Sequence, residues 1–417
     1  MDFKNYLVPG KTGLLIGIGG VSMSPLAEVL HDAGLDIRGS DMAESSNTLT
    51  LREHGIPIHI GHSADNVTDD ISFVIRTAAV HDDNPEVHEA HRRGIPVFER
   101  TQAWGALMRG YQNALCISGT HGKTTTTSMC THIMMAAEKD PTVMIGGTLP
   151  LLKACHRVGK GNTIIMESCE YYNSFLALNP TIAVVLNIEA DHLDFFKDLE
   201  DIKHSFRCFA ERVPAENGTV IANYDDANTM DALRGIARNV ITFGLNSKAD
   251  VYAQNIVHRG SVSEFDIYHR GNYFARVTLH VPGIHNVRNA LAATAAAIVL
   301  GVSPNAVKYG LAGFEGAGRR FDYKGKFQGA DLYDDYAHHP SELRALLDAV
   351  DTLNYQRSIV VFQPHTYSRT AKLFNDFVEQ LGVADVAVHE LHAVAQNAPD
   401  VLQVARIRQR IQHRHMN

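Results

Sequence analysis

The chain has 417 residues, enough for about three domains at a nominal ~150 residues each. Its 45% hydrophobic and 20% charged residues are typical of a globular protein and argue against a disordered or collagen-like chain. The net charge of −8 does not favour broad nucleic-acid binding, and no apolar run reaches the ~18 residues that a membrane-spanning helix needs. The N-terminus has too short an apolar run for a signal peptide, and the five cysteines include no CxxC pair, so we expect a cytoplasmic protein.

Short apolar runs and helical patterns alternate over the first hundred residues. The pattern predicts, in order, a strand at 13–18, a helix at 24–33, a strand at 36–39, a helix at 48–55 and a strand at 73–77. This βαβαβ order is typical of a parallel sheet with helices on its faces and a ligand crevice at the carboxyl ends of the strands.

The same alternation begins twice more along the chain. The second segment has predicted strands at 114–117, 163–166, 182–187 and 219–221, with helices at 123–137 and 286–300. The third has predicted strands at 332–335 and 358–362, with helices from 341 and at 370–381. We therefore predict an α/β protein of three domains, at residues 1–108, 109–317 and 318–417.

The strongest motif is Ser118-Gly119-Thr120-His121-Gly122-Lys123-Thr124-Thr125-Thr126, between a predicted strand and a predicted helix. Its small residues let backbone N–H groups surround a phosphate, and the helix N-terminus adds partial positive charge. Lys123 can reach the outer phosphates, and a threonine hydroxyl can bind Mg²⁺. The spacing departs from the common GxxxxGK[ST], and a Gly-Lys-Thr in a loop can be purely structural. The strand–loop–helix context nevertheless favours a nucleoside triphosphate site.

A second glycine-rich turn, Gly17-Ile18-Gly19-Gly20-Val21-Ser22, follows the first predicted strand. Ser22 stands where the GxGxxG pattern has its third glycine. Asp41 lies about twenty residues further on, where an acid can accept a hydrogen bond from a ribose or a base. These residues leave three interpretations open: an NAD site, a site for another nucleotide, or only a tight turn.

Carboxylates and a histidine follow two strands of the second segment. One group is Glu167-Ser168-Cys169-Glu170, and the other is Glu189-Ala190-Asp191-His192. Oxygen ligands beside a phosphate loop suit Mg²⁺, which binds few protein ligands together with substrate phosphates. The alternative is that Asp191 only caps a helix at residues 194–199. Taken with the phosphate loop, the two groups favour a metal-assisted phosphoryl site.

Polar residues also begin a helix and follow two strands further along the chain. His285, Asn286 and Asn289 can reach an adenine edge, although asparagine caps and buried histidines are commoner. Arg319-Arg320, the sequence DDYAHHP at 334–340 and the sequence FQPHTYSR at 362–369 suit anionic substrates and developing phosphate charge. Each of these can alternatively be a surface turn.

Eight motifs together resemble those of the Mur ligase family: GIGGVSMSPLAE, SGTHGKTTTTSM, ESCEYYNSFL, NIEADHLDFF, GIHNVRNALAA, GRRFD, DDYAHHPSE and FQPHTYSR. The resemblance extends over residues 12–385 and implies a UDP-sugar domain, a central ATPase domain and a C-terminal Rossmann-like domain. The motifs most resemble members that use ATP and Mg²⁺ to join L-alanine to UDP-N-acetylmuramic acid through an acyl phosphate, in peptidoglycan precursor synthesis. Members that recycle muramyl peptides are the next most similar.

The resemblance implies a role for each motif residue. The UDP-sugar would contact Gly17, Gly19, Gly20, Ser22 and Asp41. ATP would contact Gly119, Thr120, His121, Gly122, Lys123, Thr124, Thr125, His285, Asn286, Asn289, Arg320 and Asp335. The metal would be held by Thr124, Glu170 and His192. The catalytic residues would be Lys123, His339 and Arg369, and the amino acid and phosphate would be surrounded by His339, His365 and Arg369.

The sequence after Asp385 does not resemble the continuation of the family. Residues 405–417 contain four arginines, two histidines and no acid, which suits a nucleic-acid-binding tail, but we expect an aberrant or truncated end instead. Two further functions stay open: an inactive nucleotide-binding homologue, and an NAD-dependent oxidoreductase suggested by the first glycine turn alone. The expected partners are small-molecule substrates, without nucleic acid or membrane, and the sequence predicts no oligomeric state.

Overall fold

The computed structural model of the protein describes residues 2–77, 79–365 and 367–389, so part of the predicted C-terminal tail lies outside the described residues. The architecture is α/β with mostly parallel sheets in three successive domains, which confirms the predicted fold class. Among the described residues, no helix is both long and apolar enough to cross a membrane.

The N-terminal domain is a parallel five-stranded sheet in the order β3-β2-β1-β4-β5. Its elements are β1 (Thr12–Ile16), α1 (Ser24–Asp32), β2 (Asp36–Asp41), α2 (Ser46–Glu53), β3 (Ile58–Ile60), β4 (Ile71–Arg76), α3 (Pro85–Arg92), β5 (Val97–Glu99) and α4 (Arg100–Met108). Short 3-10 helices lie at Phe3–Tyr6 and Ala64–Asn66. The central strand β1 is buried along its whole length, as its unbroken apolar pattern predicted.

Two strands of this sheet, β3 and β5, were not predicted. Each has three residues at an edge of the sheet, and β3 is half-buried or exposed at every position. Such a strand has too short an apolar run to be recognised from sequence. The strand predicted as third, at 73–77, is therefore the fourth strand of the domain.

The middle domain is built on a ten-stranded sheet in the order β15-β14-β13-β12-β11-β10-β6-β9-β7-β8. Its strands are β6 (Asn113–Ser118), β7 (Thr142–Leu149), β8 (Ala154–Arg157), β9 (Thr163–Glu167), β10 (Ile182–Val185), β11 (Thr219–Asn223), β12 (Asn239–Gly244), β13 (Val251–Arg259), β14 (Val262–His269) and β15 (Asn272–Leu279). Its helices are α5 (Lys123–Ala136), α6 (Leu199–Glu211), α7 (Ala227–Ala232), α8 (Ile284–Val299) and α9 (Pro304–Ala312), with a 3-10 helix at Tyr171–Ala177.

The predicted central strands and two central helices of this domain are confirmed. Helices α5 and α8 pack against each other, and the alanines of α8 are buried between α5 and the sheet. The helix proposed at 194–199 is wrong, because α6 begins at Leu199 and the side chain of Asp198, not Asp191, accepts from the Asp201 amide as its cap.

Strands β6, β9 and β10 are neighbours, so their carboxyl ends bring Ser118, Glu167 and Val185 to one edge.

The C-terminal domain consists, within the described residues, of two small sheets and three helices. Its elements are β16 (Asp322–Phe327), β17 (Ala330–Asp334), α10 (Pro340–Asp351), β18 (Ile359–Phe362), α11 (Tyr367–Lys372), α12 (Phe374–Leu381) and β19 (Val386–His389). Strands β16 and β17 form a hairpin, whereas β18 and β19 are parallel. The single helix predicted at 370–381 is divided, because Leu373 leaves the helical conformation between α11 and α12.

Candidate active site

The phosphate loop connects β6 to α5 and has backbone shapes that only glycine adopts readily. Gly119 has φ 145° and Gly122 has φ 83°. A Cβ on Gly119 would lie 2.8 Å from Leu186 Cβ, and one on Gly122 would lie 2.7 Å from Asn289 Oδ1. Both glycines are therefore required by backbone conformation and by close packing. The loop leaves the first amides of α5 without a side-chain cap, as a phosphate-binding helix start requires.

Lys123 is the first residue of α5 and folds back over the loop. Its Nζ donates to the carbonyl oxygens of Gly119 and Thr120 at 2.6 and 3.1 Å, and lies 2.9 Å from Oε2 of Glu170. Burial alone would lower the pKa of Lys123, but the charge of Glu170 raises it above its ordinary value. The ammonium group is thus held charged at the phosphate position.

The three residues predicted to hold a metal lie around this lysine. The Thr124 hydroxyl donates to Oε1 of Glu167 at 3.0 Å, and His192 Nε2 lies 3.9 Å from Oε1 of Glu170. Glu167 also accepts from the Gly146 amide at 2.6 Å. Glu167 lies in the sequence motif but was not among the predicted ligands, and it is the carboxylate that accepts from the Thr124 hydroxyl.

A cavity of about 380 Å³ opens beside the phosphate loop, between the middle and C-terminal domains. The predicted ATP residues that line it are His121, Gly122, Thr124, Thr125, His285, Asn286, Asn289, Arg320 and Asp335. Burial lowers the pKa of His285 to about 4, so its imidazole is neutral at physiological pH and can accept or donate a hydrogen bond.

The C-terminal domain contacts the phosphate loop directly at the start of α10. His121 Nδ1 lies 3.1 Å from Oε1 of Glu342, and His121 Nε2 lies 2.9 Å from the Ser341 hydroxyl. Burial alone would lower the pKa of His121, but hydrogen bonds to Glu189 and Glu342 raise it to about 9. Glu189, Ser341 and Glu342 lie in quoted motifs but were not among the predicted site residues, and no local pattern indicates that they meet His121.

A second cavity of about 240 Å³ lies between the two domains, on the other side of Asp191 and His192. The basic side chains that line it are His192, His338, His365, Arg369 and Lys372. Arg369 Nε donates to Asp191 Oδ1 at 3.0 Å, while its buried Nη1 has no partner among the described residues. These five basic side chains outnumber Asp191 and Asp194 in the lining of the cavity, which suits an anionic ligand.

His339 lies apart from this second cavity, although it was grouped with His365 and Arg369 in the sequence. It is buried, caps α10, and its ring centroid is 5.0 Å from that of His121. The adjacent His338 faces His365 instead, with ring centroids 6.3 Å apart.

The first glycine turn and Asp41 meet in the N-terminal domain, where the Asp41 carboxylate binds the turn itself. The Gly19 amide donates to Oδ2 of Asp41 at 2.8 Å, and a Cβ on Gly19 would lie 2.8 Å from the Thr48 methyl group. Gly17 has φ 76°, and the Ser22 carbonyl accepts from the indole of Trp104. The Asp41 carboxylate therefore holds the glycine turn in place by accepting from its backbone.

Family models and solved structures match the chain along nearly all its length. The Mur ligase family catalytic domain matches residues 15–112, the Mur ligase middle domain matches 117–297, and the Mur ligase glutamate ligase domain matches 319–416. The UDP-N-acetylmuramate–L-alanine ligase of Agathobacter rectalis is 47% identical over 374 residues, which cover 89% of this chain and 81% of that protein. The chain belongs to the Mur ligase family.

Further Mur ligases agree with this assignment. The UDP-N-acetylmuramate–L-alanine ligase of Caldicellulosiruptor saccharolyticus is 45% identical, covering 92% of this chain and 84% of that protein. The crystal structure of UDP-N-acetylmuramate–alanine ligase from Thermotoga maritima has a TM-score of 0.75 at 31% identity, covering 91% and 84% of the two chains. A ligase for L-alanyl-γ-D-glutamyl-meso-diaminopimelate from Neisseria meningitidis has a TM-score of 0.67 at 26% identity, covering 74% of this chain and 99% of that one.

The third family match extends to residue 416, beyond Asp385, where the sequence analysis expected the resemblance to end. Residues 390–417 lie outside the described residues, so the predicted aberrant end of this Mur ligase stays a prediction. For the described motifs, the structure brings the phosphate loop, the carboxylate groups and the C-terminal polar residues to one boundary between domains.

Proposed function

We propose that this protein is an ATP-dependent ligase that joins L-alanine to UDP-N-acetylmuramic acid for peptidoglycan precursor synthesis. The observation that carries the proposal is the pair of adjacent cavities at the boundary of the middle and C-terminal domains, one beside the phosphate loop and one beside Arg369. The 47% identity to an L-alanine ligase supports the choice of amino acid. The domain boundaries that we propose are 1–108, 109–317 and 318–417.

ATP occupies the larger cavity in this proposal. Backbone amides of the loop and the start of α5 would hold its phosphates, Lys123 would neutralise the transferring phosphoryl group, and the purine would lie near His285 and Asn289. Arg320, whose guanidinium lies 3.7 Å from Glu342, is close enough to turn toward phosphate oxygens when the nucleotide enters.

Thr124, Glu170 and His192 fit a magnesium site beside the transferred phosphate. Glu170 is buried, with its carboxylate between Lys123 and His192, and Thr124 offers a hydroxyl oxygen on the same side of the loop. When bound, Mg²⁺ supplies charge neutralisation between phosphate oxygens. Glu167 accepts from Thr124 and would orient that hydroxyl.

The reaction that follows from the family resemblance has two steps. The lactyl carboxylate of UDP-N-acetylmuramic acid attacks the γ-phosphorus of ATP, forming an acyl phosphate and releasing ADP. The amine of L-alanine then attacks the acyl carbon, and inorganic phosphate leaves from the tetrahedral intermediate as the amide forms and the amine loses a proton. Lys123, whose Nζ lies against the carbonyl oxygens of the phosphate loop, would bind the phosphoryl oxygens through both steps.

The smaller cavity is the proposed L-alanine site. Arg369 and His365 both line it, and the Arg369 guanidinium would bind the amino-acid carboxylate. His339 would act from the other side, beside His121 and the phosphate loop. The UDP moiety would bind at the N-terminal turn, with Gly17, Gly19, Gly20 and Ser22 against the phosphates and Asp41 fixing the turn.

We also propose that the protein acts in the cytoplasm. All five cysteines are described and unpaired, which is usual in a reducing compartment. Peptidoglycan precursors that carry UDP are made where UTP is available, which agrees with this location.

One assay distinguishes the amino-acid ligase from the alternatives. Phosphate release is measured with ATP, Mg²⁺ and UDP-N-acetylmuramic acid, adding either L-alanine or the tripeptide L-alanyl-γ-D-glutamyl-meso-diaminopimelate. We expect release and a ligated product with L-alanine only. Product from the tripeptide alone would indicate a recycling ligase, and ATP binding without either product would indicate an inactive homologue.

A further inference from the structure

Three potential metal ligands from two domains face each other beside the phosphate loop. His121 Nε2 lies 3.4 Å from Oε2 of Glu189, and His339 Nδ1 lies 3.9 Å from the same oxygen. One ligand atom from each of the three residues falls within 4.8 Å of the others. His121 and Glu189 belong to the middle domain, whereas His339 belongs to the C-terminal domain.

The spacing of these atoms is close to that of a tetrahedral metal site. Zinc bound to imidazole nitrogen at about 2.0–2.1 Å places neighbouring ligand atoms about 3.3 Å apart. The two distances to Oε2 of Glu189, 3.4 and 3.9 Å, need only a small contraction to reach this value, and the third pair, His121 and His339, lies within 4.8 Å.

The Ser341 hydroxyl lies between the two imidazoles in the present arrangement. Its Oγ is 2.9 Å from His121 Nε2 and 2.7 Å from His339 Nδ1. A hydroxyl has one hydrogen to donate, so it cannot donate to both nitrogens. Ser341 thus accepts from one imidazole and donates to the other. A bound ion would displace the proton of His121 Nε2 and move the Ser341 hydroxyl aside, and its oxygen could then be a fourth ligand.

The outer contact of His121 is the one that a metal-binding histidine usually has. Its other ring nitrogen, Nδ1, lies 3.1 Å from Oε1 of Glu342. Histidine ligands commonly donate this second N–H to a carboxylate, which fixes the tautomer and directs the free nitrogen at the metal. Glu342 is half-buried, and its Oε2 accepts from the His338 backbone amide at 2.9 Å, so its position is fixed by a main-chain contact.

We propose that His121, Glu189 and His339, with Ser341 between the two imidazoles, form a binding site for a late first-row divalent cation of the Zn²⁺ type. Two imidazoles and one carboxylate favour such an ion over Mg²⁺, which prefers oxygen ligands. The site is separate from the magnesium residues Thr124, Glu170 and His192. Its ligands come from both sides of the domain boundary, so a bound ion fastens the C-terminal domain to the phosphate loop. This inference does not depend on the ligase activity.

The test uses the full chain after treatment with a chelator, without nucleotide or Mg²⁺. Zn²⁺ binding is measured by calorimetry, and Co²⁺ is added separately as a probe whose visible absorption intensifies in tetrahedral coordination. We expect one ion per chain with a tetrahedral Co²⁺ spectrum. Glu189→Gln and His339→Gln each weaken binding by about 10-fold or more, and Glu342→Gln weakens it by about 10- to 100-fold, as loss of an outer contact does.

His338→Gln is the matched control, because it removes the adjacent imidazole, which contacts Glu342 but not Glu189. It should retain Zn²⁺ binding and the Co²⁺ spectrum. Circular dichroism checks that each variant is folded, and Glu189, whose side chain is 38% exposed, tolerates the amide sterically. Absence of binding in the wild type, or equal binding in Glu189→Gln and His339→Gln, overturns the proposal. So does binding that is lost only in His192→Ala, which would locate the ion at the magnesium residues.

Discussion

Lys123 Nζ lies 2.9 Å from Glu170 Oε2, and the side chains of these residues are only 15% and 3% exposed. The pair joins the phosphate loop to the residues proposed to hold the metal. When a phosphate and its cation bind, the phosphate would pair with Lys123 and the cation with Glu170, in place of the present contact between the two side chains. The contact thus balances the charges of the two side chains within the protein.

Replacing the lysine tests the assignment of two substrates to two domains. We expect Lys123→Ala to abolish ATP-dependent ligation but to leave UDP-N-acetylmuramic acid binding nearly unchanged, as measured by calorimetry. The variant also leaves Glu170 buried without its partner, which costs about 3–5 kcal/mol of stability. Lys123→Ala with Glu170→Gln should recover much of that stability without recovering ligation. The exposed Lys160→Ala is the control, and equal loss of both affinities in Lys123→Ala would contradict the separate sites.

Removing a proposed metal ligand should change the Mg²⁺ requirement. In Glu170→Gln or His192→Ala, we expect the Mg²⁺ concentration for half-maximal activity to rise by at least about 10-fold. Loss of a residue that only hydrogen-bonds to a metal ligand already weakens metal binding by that factor. Glu216→Gln, which changes an exposed carboxylate of the same domain, should behave as wild type. If the chain does not ligate, Mg²⁺-dependent ATP binding gives the same comparison. An unchanged Mg²⁺ titration would mean that both residues are structural.

The contact between the N-terminal and middle domains should depend on pH. His156 Nε2 on β8 lies 3.0 Å from Oε2 of Glu28 on α1. Burial alone would lower the pKa of His156, but its contacts with Cys155 and Glu28 raise it to about 9. A raised histidine pKa adds stability that is fully present below the unfolded value of about 6.5 and is lost as pH rises through the folded value.

We therefore expect the melting temperature of the wild type to fall more between pH 6.5 and pH 9 than that of His156→Gln. Cys155→Ser separates the contribution of the thiol from that of Glu28. His59→Gln, at an exposed imidazole on β3, should keep the wild-type pH dependence. Parallel pH curves for wild type and His156→Gln would show that this ion pair does not couple the two domains.

The C-terminal domain should be the least protected part of residues 2–389. Its buried apolar cluster within the described residues consists of Leu343, Phe362, Phe377 and Leu381, whereas the apolar core of the middle domain is far larger. On β18, Ile359 is 59% exposed and Val361 is 73% exposed. We expect amides of β18 and β19 to exchange sooner than those of β6 and β10, and protease to cut first in residues 318–389.

Phe377→Ala should increase this difference, because truncating a buried phenylalanine costs about 3–5 kcal/mol. Phe327→Ala, at a side chain that is 67% exposed in the same domain, should change exchange little. Uniform protection across the three domains in hydrogen-exchange mass spectrometry would contradict the expectation.

The sequence predicted elements where burial is continuous and failed where it is partial. Strand β10 is buried throughout and the alanine-rich helix α8 along most of its length, so both have apolar residue patterns that can be recognised in the sequence. Strand β16 is mostly exposed and β13 is buried only over its first three residues, so neither has a clear apolar signal and neither was predicted. The strand predicted at 332–335 overlaps β17, which is itself only partly buried. The break between α11 and α12 at Leu373 was also not predicted, because no proline or glycine marks it in the sequence.

The sequence predicts those parts of the site whose residues are contiguous in the chain. The phosphate loop has a motif because its glycines, lysine and helix start must be contiguous. The contact of His121 with Glu342 has no such motif, since the two residues are 221 positions apart. Neither could the sequence tell which of His338 and His339 faces Arg369, because the choice depends on where α10 begins.

The contact between Arg369 and Asp191 has a further consequence. Asp191 precedes His192, which has a left-handed backbone with φ 52°. Because Arg369 of α11 binds Asp191, a movement of α11 away from the middle domain would displace Asp191 and with it the adjacent His192, the proposed metal ligand. Binding of the amino acid at Arg369 and binding of the metal at His192 are then coupled through the contact between Arg369 and Asp191. By thermodynamic reciprocity, each ligand should change the affinity for the other by the same factor.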